Sequence, residues 1–428
     1  MKILIRQGLV VDPTQDINRQ CDLLLEEGRV AAIDSKIELS PDQKAEVVEA
    51  RGWVVTPGLI DMHVHLREPG REDKETVESG ARAAAAGGFT SVMCMPNTDP
   101  VIDNESVVRH VIEQGRRAGS ANVHPAGAIT KGQAGQELAE IGEMARAGIV
   151  AISDDGYPVM NSQVMRRAME YARLFGLPVL DHCEDKHLSA GGCMNESSAS
   201  TRLGLNGMAG VAEEIHIARD IMLSRLTGCH AHICHISTAE ALQHVRRGKE
   251  DGIAVTTEVC PHHFTLADAD IENYDTNYKM SPPLRTPRDV EAMLEGLRDG
   301  SIDCIATDHA PHTSLEKDTT FEEAAFGIIG LETSLPLCVE HLLRKEVVSL
   351  PRLVQLMSVN PARILGLERG TLKKGSVADV TVFDAERQVT VDSNAFKSKS
   401  RNTPYQGWVL HGLPVLTIVS GRIVHDAR

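Results

Sequence analysis

Apolar positions along the chain fall into two textures. Between about residue 55 and residue 312, short apolar runs alternate with longer stretches in which apolar residues recur every three or four positions. The runs are Val55–Leu66, Phe89–Asn97, Asn122–Thr130, Ile149–Asp155, Leu177–Glu184, Cys229–Ser237, Ile253–His263 and Ile302–His312. The helical stretches are Glu75–Ala86, Ser106–Ala118, Gln163–Phe175, Ala209–Arg225, Ala239–Lys249 and Thr286–Asp299. Eight buried strands alternating with helices over about 300 residues predict an α/β fold, a (β/α)8 barrel of the TIM type. At both ends of the chain the texture changes to short strands and turns. Ile3–Val10, Asp22–Leu25 and Arg29–Ile33 lie at one end, with Glu27-Gly28 as hairpin punctuation. Ala378–Asp384, Trp408–Leu410, Val415–Val419 and Arg422–His425 lie at the other. The expected organisation is a catalytic barrel over 57–365 and a small β-sandwich assembled from 1–56 and 366–428.

Composition narrows the function. The 428 residues carry 60 acidic and 44 basic side chains, a formal charge of −16. Bulk attraction to nucleic acid or to an anionic membrane is therefore excluded, though a local pocket for a small anion is not. No apolar stretch approaches the roughly 20 residues of a membrane span. The first residues read as a strand, without the apolar core of a secretion signal. Nine scattered cysteines with no Cys-x-x-Cys pair argue against a disulfide framework or a zinc finger. A reducing cytoplasm is the expected setting. Eighteen histidines are the unusual count.

Several of them end the apolar runs, at the rim where barrels hold their chemistry. Asp61-Met62-His63-Val64-His65 puts two imidazoles on one face of a strand, able to meet one cation; alone, they could also be a solvated face. His182 closes the run Val179–Asp181, where a packing role is the alternative. Cys229-His230-Ala231-His232-Ile233-Cys234-His235 offers three candidates. Strand parity pairs His230 with His232 and leaves His235 off phase, so the ligand stays undecided. In Ser153-Asp154-Asp155-Gly156 either carboxylate could serve, or both could shape a turn. Asp308 could cap the following helix or sit among the rim histidines. Four histidines and two carboxylates from five strands suit one or two zinc-class ions.

The stretch Gly58-Leu59-Ile60-Asp61-Met62-His63-Val64-His65-Leu66-Arg67-Glu68-Pro69-Gly70 resembles the opening of the amidohydrolase superfamily, specifically its dihydroorotases of the long bacterial type I class. Met95-Pro96-Asn97-Thr98, Asp154-Asp155-Gly156, Asp181-His182-Cys183-Glu184, Pro282-Pro283-Leu284-Arg285, Ala306-Thr307-Asp308-His309-Ala310-Pro311-His312 and Asn360-Pro361-Ala362-Arg363 extend the match in order. The resemblance implies that His63, His65 and Asp308 hold a first zinc, and His182 and His235 a second, with Asp155 bridging. It thus selects Asp155 and His235. Related dihydropyrimidinases and allantoinases bridge their metals with a carbamylated lysine, and the fourth strand here offers no lysine.

The implied reaction is the reversible cyclisation of N-carbamoyl-L-aspartate to L-dihydroorotate in pyrimidine biosynthesis, with Asp308 as proton carrier. Both substrates keep an unreacting carboxylate, which Arg67 could grip with two hydrogen bonds; a surface ion pair with Glu68 or Glu72 is the alternative. The family pattern places Asn97, His312, His65 and the Phe326-Gly327 backbone on the substrate as well. Ser281 stands where that pattern often has Asn, and Ala325 where proline is common in the lid-like stretch 313–325. The resemblance also implies a homodimer, with aspartate transcarbamoylase as an associated enzyme. A non-catalytic scaffold would be expected to have lost metal ligands, and all six positions are intact.

Overall fold

The computed structural model describes residues 2–40 and 44–428. Its centre is a ring of parallel strands: Leu59–Val64, Phe89–Cys94, Asn122–Gly127, Ala151–Ser153, Val179–Asp181, Ala231–Ile233, Val255–Val259 and Cys304–Ile305. Each pairs with its successor, and a bridge between Val64 and His309 brings the last back to the first. Each predicted run contains one of these strands, and the barrel stands as expected. Successive side chains alternate between the two cores. Met93 faces the barrel interior with Met62, Leu180 and Ala306, whereas Val92 and Cys94 face the helices.

The helices Val77–Ala86, Glu105–Ala118, Ser162–Arg173, Val211–Thr227, Ala239–Glu250 and Pro287–Asp299 form where the spacing placed them. Their ends are capped from the sequence. The Asn104 side chain accepts from the Ser106 and Val107 amides, and Gly119 closes the same helix in the left-handed region.

One predicted run divides. Val55–Leu66 is two strands, Val54–Pro57 in the terminal sheet and Leu59–Val64 in the barrel, separated at Gly58. Any side chain there would meet Thr90, since a Cβ would lie 2.1 Å from its Oγ1. The terminal sheet has eight strands, drawn from Lys2–Pro57 and Val380–Asp426. Its pairs are antiparallel except where Lys2–Asp12 runs parallel to Glu46–Glu49 and Val54–Pro57. The hairpin at Glu27 and Gly28 has both residues at positive φ, 52° and 77°, as a tight primed turn requires. The sheet curls so that its Arg29–Asp34 edge meets the stretch leading into Val380–Thr390: Ala378 N donates to Gly28 O, and Val30 N to Ser376 O. Ile3, Leu23, Val55, Val380 and Leu416 share the enclosed core. The expected sandwich is thus one sheet folded over itself. The stretch Val391–Trp408 leaves it for the barrel, where Tyr405 is buried with Met280, Phe321 and Ile328.

Candidate metal centre and substrate pocket

Six side chains from five strand ends converge at the C-terminal rim. His63 Nε2 lies 3.4 Å from Asp155 Oδ1 and 3.6 Å from Asp308 Oδ1. His65 Nε2 lies 3.0 Å from Asp308 Oδ1 and 3.4 Å from Asp155 Oδ2. The same Asp155 Oδ1 is 3.7 Å from His182 Nδ1 and 3.5 Å from His235 Nε2. Tetrahedral zinc holds its donors roughly 3.3–3.5 Å apart, so these separations fit metal ligation. His63 Nε2 and Asp155 Oδ1 are buried without a hydrogen-bond partner, which a cation between them would relieve. Asp155 touches both histidine pairs, the position a bridging ligand needs.

Outer partners fix which nitrogen of each ring is free. His63 Nδ1 donates to Glu258 at 2.6 Å, His65 Nδ1 to the Asn97 carbonyl at 2.8 Å, and His182 Nε2 to Glu184 at 2.8 Å. Each bond turns the opposite nitrogen toward the cluster, where it can ligate a cation once it has lost its proton. Glu258 and Glu184 went unassigned in the sequence. The available signal for Glu258 was a single acid inside the buried strand Val255–Val259.

The alternatives left open by parity resolve in space. Asp154 turns away and accepts from the Ile129 and Thr130 amides and the Thr130 hydroxyl; burial pushes its carboxyl up to about 6. His230 and His232 share the Thr256 hydroxyl, and His232 also meets Glu258. His235 reaches the cluster because its strand ends at Ile233 and its backbone turns to φ 30°. Arg67 and Asp308 also sit at positive φ, 64° and 48°. Such conformations cost non-glycine residues about 1–3 kcal/mol each and gather at functional sites.

Electrostatics follow from this crowding. Burial alone would raise the Asp155 carboxyl, but the His63 charge and the close His182 and His235 imidazoles hold it well below its ordinary range. Burial likewise acts against ionised Asp308, and the His65 hydrogen bond and His63 charge outweigh it. Burial would lower His63; Asp155 and Glu258 together raise it well above its usual value.

A cavity of about 450 Å³ opens over the cluster, lined by His65, Arg67, Asn97, Ser281, His312 and Gly327 among others. Arg67 donates from Nε to Pro311 O at 3.2 Å and forms no ion pair with a described residue. The two acids considered for it are engaged elsewhere, Glu68 with the Val77 amide and Glu72 with the Gly70 amide. His312 donates from Nε2 to Phe326 O at 2.8 Å, and burial with the Arg67 charge pushes its pKa down to about 3. The pocket wall is braced by a residue the sequence did not flag. Asn402 Nδ2 donates to Ala310 O at 3.0 Å and to Gly327 O at 3.1 Å. Arg285 is buried away from the pocket, bound to Ser237, Asn195 and Glu213.

A dihydro-orotase-like family model matches residues 52–241, and an amidohydrolase family model matches residues 274–425. A dihydroorotase from Solibacter usitatus (strain Ellin6076) is 52% identical over 421 residues, 98% of this chain and 97% of its own length. One from Pelotomaculum thermopropionicum is 51% identical over 428 residues, 100% of this chain and 99% of its own. Among solved structures, the L-hydantoinase (dihydropyrimidinase) from Arthrobacter aurescens superposes with a TM-score of 0.87 at 25% identity, covering 99% of this chain and 96% of that one. A dihydropyrimidinase from Brevibacillus agri NCHU1002 gives 0.84 at 23%, over 100% and 95%. The fold is therefore shared with a hydantoinase and a dihydropyrimidinase, whereas about half of all positions are shared with the dihydroorotases: the chain belongs to the dihydroorotase family of the amidohydrolases.

Proposed function

We propose that this cyclic amide hydrolase interconverts N-carbamoyl-L-aspartate and L-dihydroorotate, and that His63, His65 and Asp308 would hold one zinc and His182 and His235 a second, with Asp155 available to both. Arg67 is the observation that carries the substrate reading. A guanidinium without a carboxylate partner, set in the wall beside the cluster, suits a cyclic amide that bears its own carboxylate. A neutral hydantoin offers it no carboxylate. Zinc ions, when bound, supply Lewis acidity and lower the pKa of a water toward neutrality.

The remaining steps belong to the chain. Arg67, Asn97 and His312 orient the carboxylate side of the substrate, while the Phe326–Gly327 backbone and Ser281 face its ring. Asp308, ionised at neutral pH, accepts a proton from the attacking water. It passes that proton to the ring nitrogen as the C–N bond breaks. Ring closure runs the same steps backwards and starts from protonated Asp308.

In this reading residues 57–365 are the catalytic barrel, and 1–56 with 366–428 the β unit, which lends Asn402 to the pocket wall. Pyrimidine biosynthesis in the cytoplasm, a homodimer, and association with aspartate transcarbamoylase complete the proposal. Among the described residues no helix is long and apolar enough to cross a membrane. The test is dihydroorotate hydrolysis and zinc analysis on one sample. Turnover of hydantoin in preference to dihydroorotate would overturn the assignment.

A further inference from the structure

Beside the pocket, a buried lysine ties the loop that follows His312 to a distant stretch of chain. Lys317 is 7% exposed. Its Nζ donates to the backbone carbonyls of Ala325 at 2.7 Å, Thr276 at 2.9 Å and Lys279 at 3.2 Å. An ammonium has three N–H donors, and all three are used. The knot is reciprocal. The Thr276 hydroxyl donates to Lys317 O at 2.5 Å, and Ala325 N to Glu316 O at 3.0 Å. Lys317 forms no ion pair with a described carboxylate, so its direct partners against the cost of burying its charge are backbone carbonyls, with Asp275 and Glu316 acting only from a distance.

The knot adjoins the substrate wall directly. Gly327 N donates at 2.9 Å to Lys279 O, the same carbonyl that Lys317 holds. The Lys279 ammonium lies 4.3 Å over the Phe326 ring and donates to Glu322 O at 2.8 Å. Gly327 itself has φ 127°, and a Cβ there would come within 2.6 Å of the Ala310 Cβ. Only a glycine fits the chain at that φ and that distance.

We propose that Lys317 is a positioning residue for the substrate: by gathering the carbonyls of Thr276, Lys279 and Ala325, it sets the Phe326–Gly327 backbone as the ring-binding wall. What the wall binds rests on the dihydroorotate reading above; the clasp does not.

Lys317→Met keeps the length and the apolar stem and removes every donor. KM for dihydroorotate should rise at least about tenfold with kcat held within about threefold, the pattern of lost ground-state binding. Zinc content should not change. The amides of Ala325 and Gly327 should lose hydrogen-exchange protection, while those of the barrel strands keep it. Lys317→Gln, with two donors, should fall between, and it carries the test if the Met variant does not accumulate folded. Unchanged KM and Gly327 exchange would overturn the proposal, as would a lower Tm without either effect or a loss confined to kcat. If the wild-type enzyme does not turn over dihydroorotate, the substrate reading falls, and the exchange measurement still decides the clasp.

Discussion

Replacing Arg67 with alanine tests what separates this pocket from those of neutral cyclic amides. The guanidinium is already partly desolvated in the free enzyme; burial lowers its pKa, and Asp308 and Glu316 only partly oppose that. Its Nε is engaged by Pro311 O, which fixes the plane of the fork before substrate arrives. A carboxylate entering the cavity would find two directed N–H donors and no competing acid. Hydrogen bonds to charged groups contribute about 1.5–3 kcal/mol each, so losing a bidentate pair should cost about 3–4 kcal/mol once non-additivity is allowed for. That is a fall of two to three orders of magnitude in kcat/KM for dihydroorotate, at roughly 1.4 kcal/mol per tenfold. Alanine meets the same positive φ as arginine, so the substitution adds no new backbone strain. Zinc content should stay at the wild-type level. A lysine side chain keeps the charge without the fork, so Arg67→Lys should recover about a tenth of the lost activity or less. The decisive assay sets dihydroorotate against dihydrouracil, which lacks the carboxylate, as substrates or as competing ligands. Discrimination between them should collapse in the alanine variant. An equal loss for both compounds, or kcat/KM within about threefold of wild type, would refute the clamp.

Three other outcomes follow from the site. Glu258→Gln weakens the acceptor behind His63 and should reduce zinc affinity about 10–100-fold in a chelator competition; unchanged retention would mean Glu258 does not tune the ligand. Asp155→Ala should lose metal while largely keeping Tm, whereas Asp154→Ala should keep metal and lose about 1–3 kcal/mol of stability, because three donors around Ile129 and Thr130 lose their acceptor; the reverse pattern would overturn the choice between them. In the metal-free protein, burial disfavours charged His63, but Asp155 and Glu258 hold its pKa well above the ordinary value, so zinc must displace a proton from Nε2. Affinity should then climb about tenfold per unit of rising pH until that pKa is passed, and a flat response across about pH 6 to 8 would contradict it.

The barrel was legible because its strands are buried on both faces and read as unbroken apolar runs. Its catalytic rim was only half legible, and the reason is geometric. His63 lies inside its strand, so period-two reasoning set it beside His65, where the fold also has it. Asp155 and His235 each lie two residues beyond a strand that ends at Ser153 or Ile233. There the alternation stops, and a positive φ re-aims His235 toward Asp155. Parity therefore paired His230 with His232 and could not choose among the three; the fold turns those two toward Thr256. Family motifs, not periodicity, selected the members that the fold brings together. Glu258 and Asn402 escaped for a second reason: their meaning lies in partners far along the chain, His63 for the first, Ala310 and Gly327 for the second. Asn402 also sits in a segment whose texture belonged to the terminal sheet. A local pattern can nominate donors wherever the backbone is regular, but a metal-binding rim is built where regularity ends, so the choice among neighbouring donors is made by the loops and by residues brought in from elsewhere.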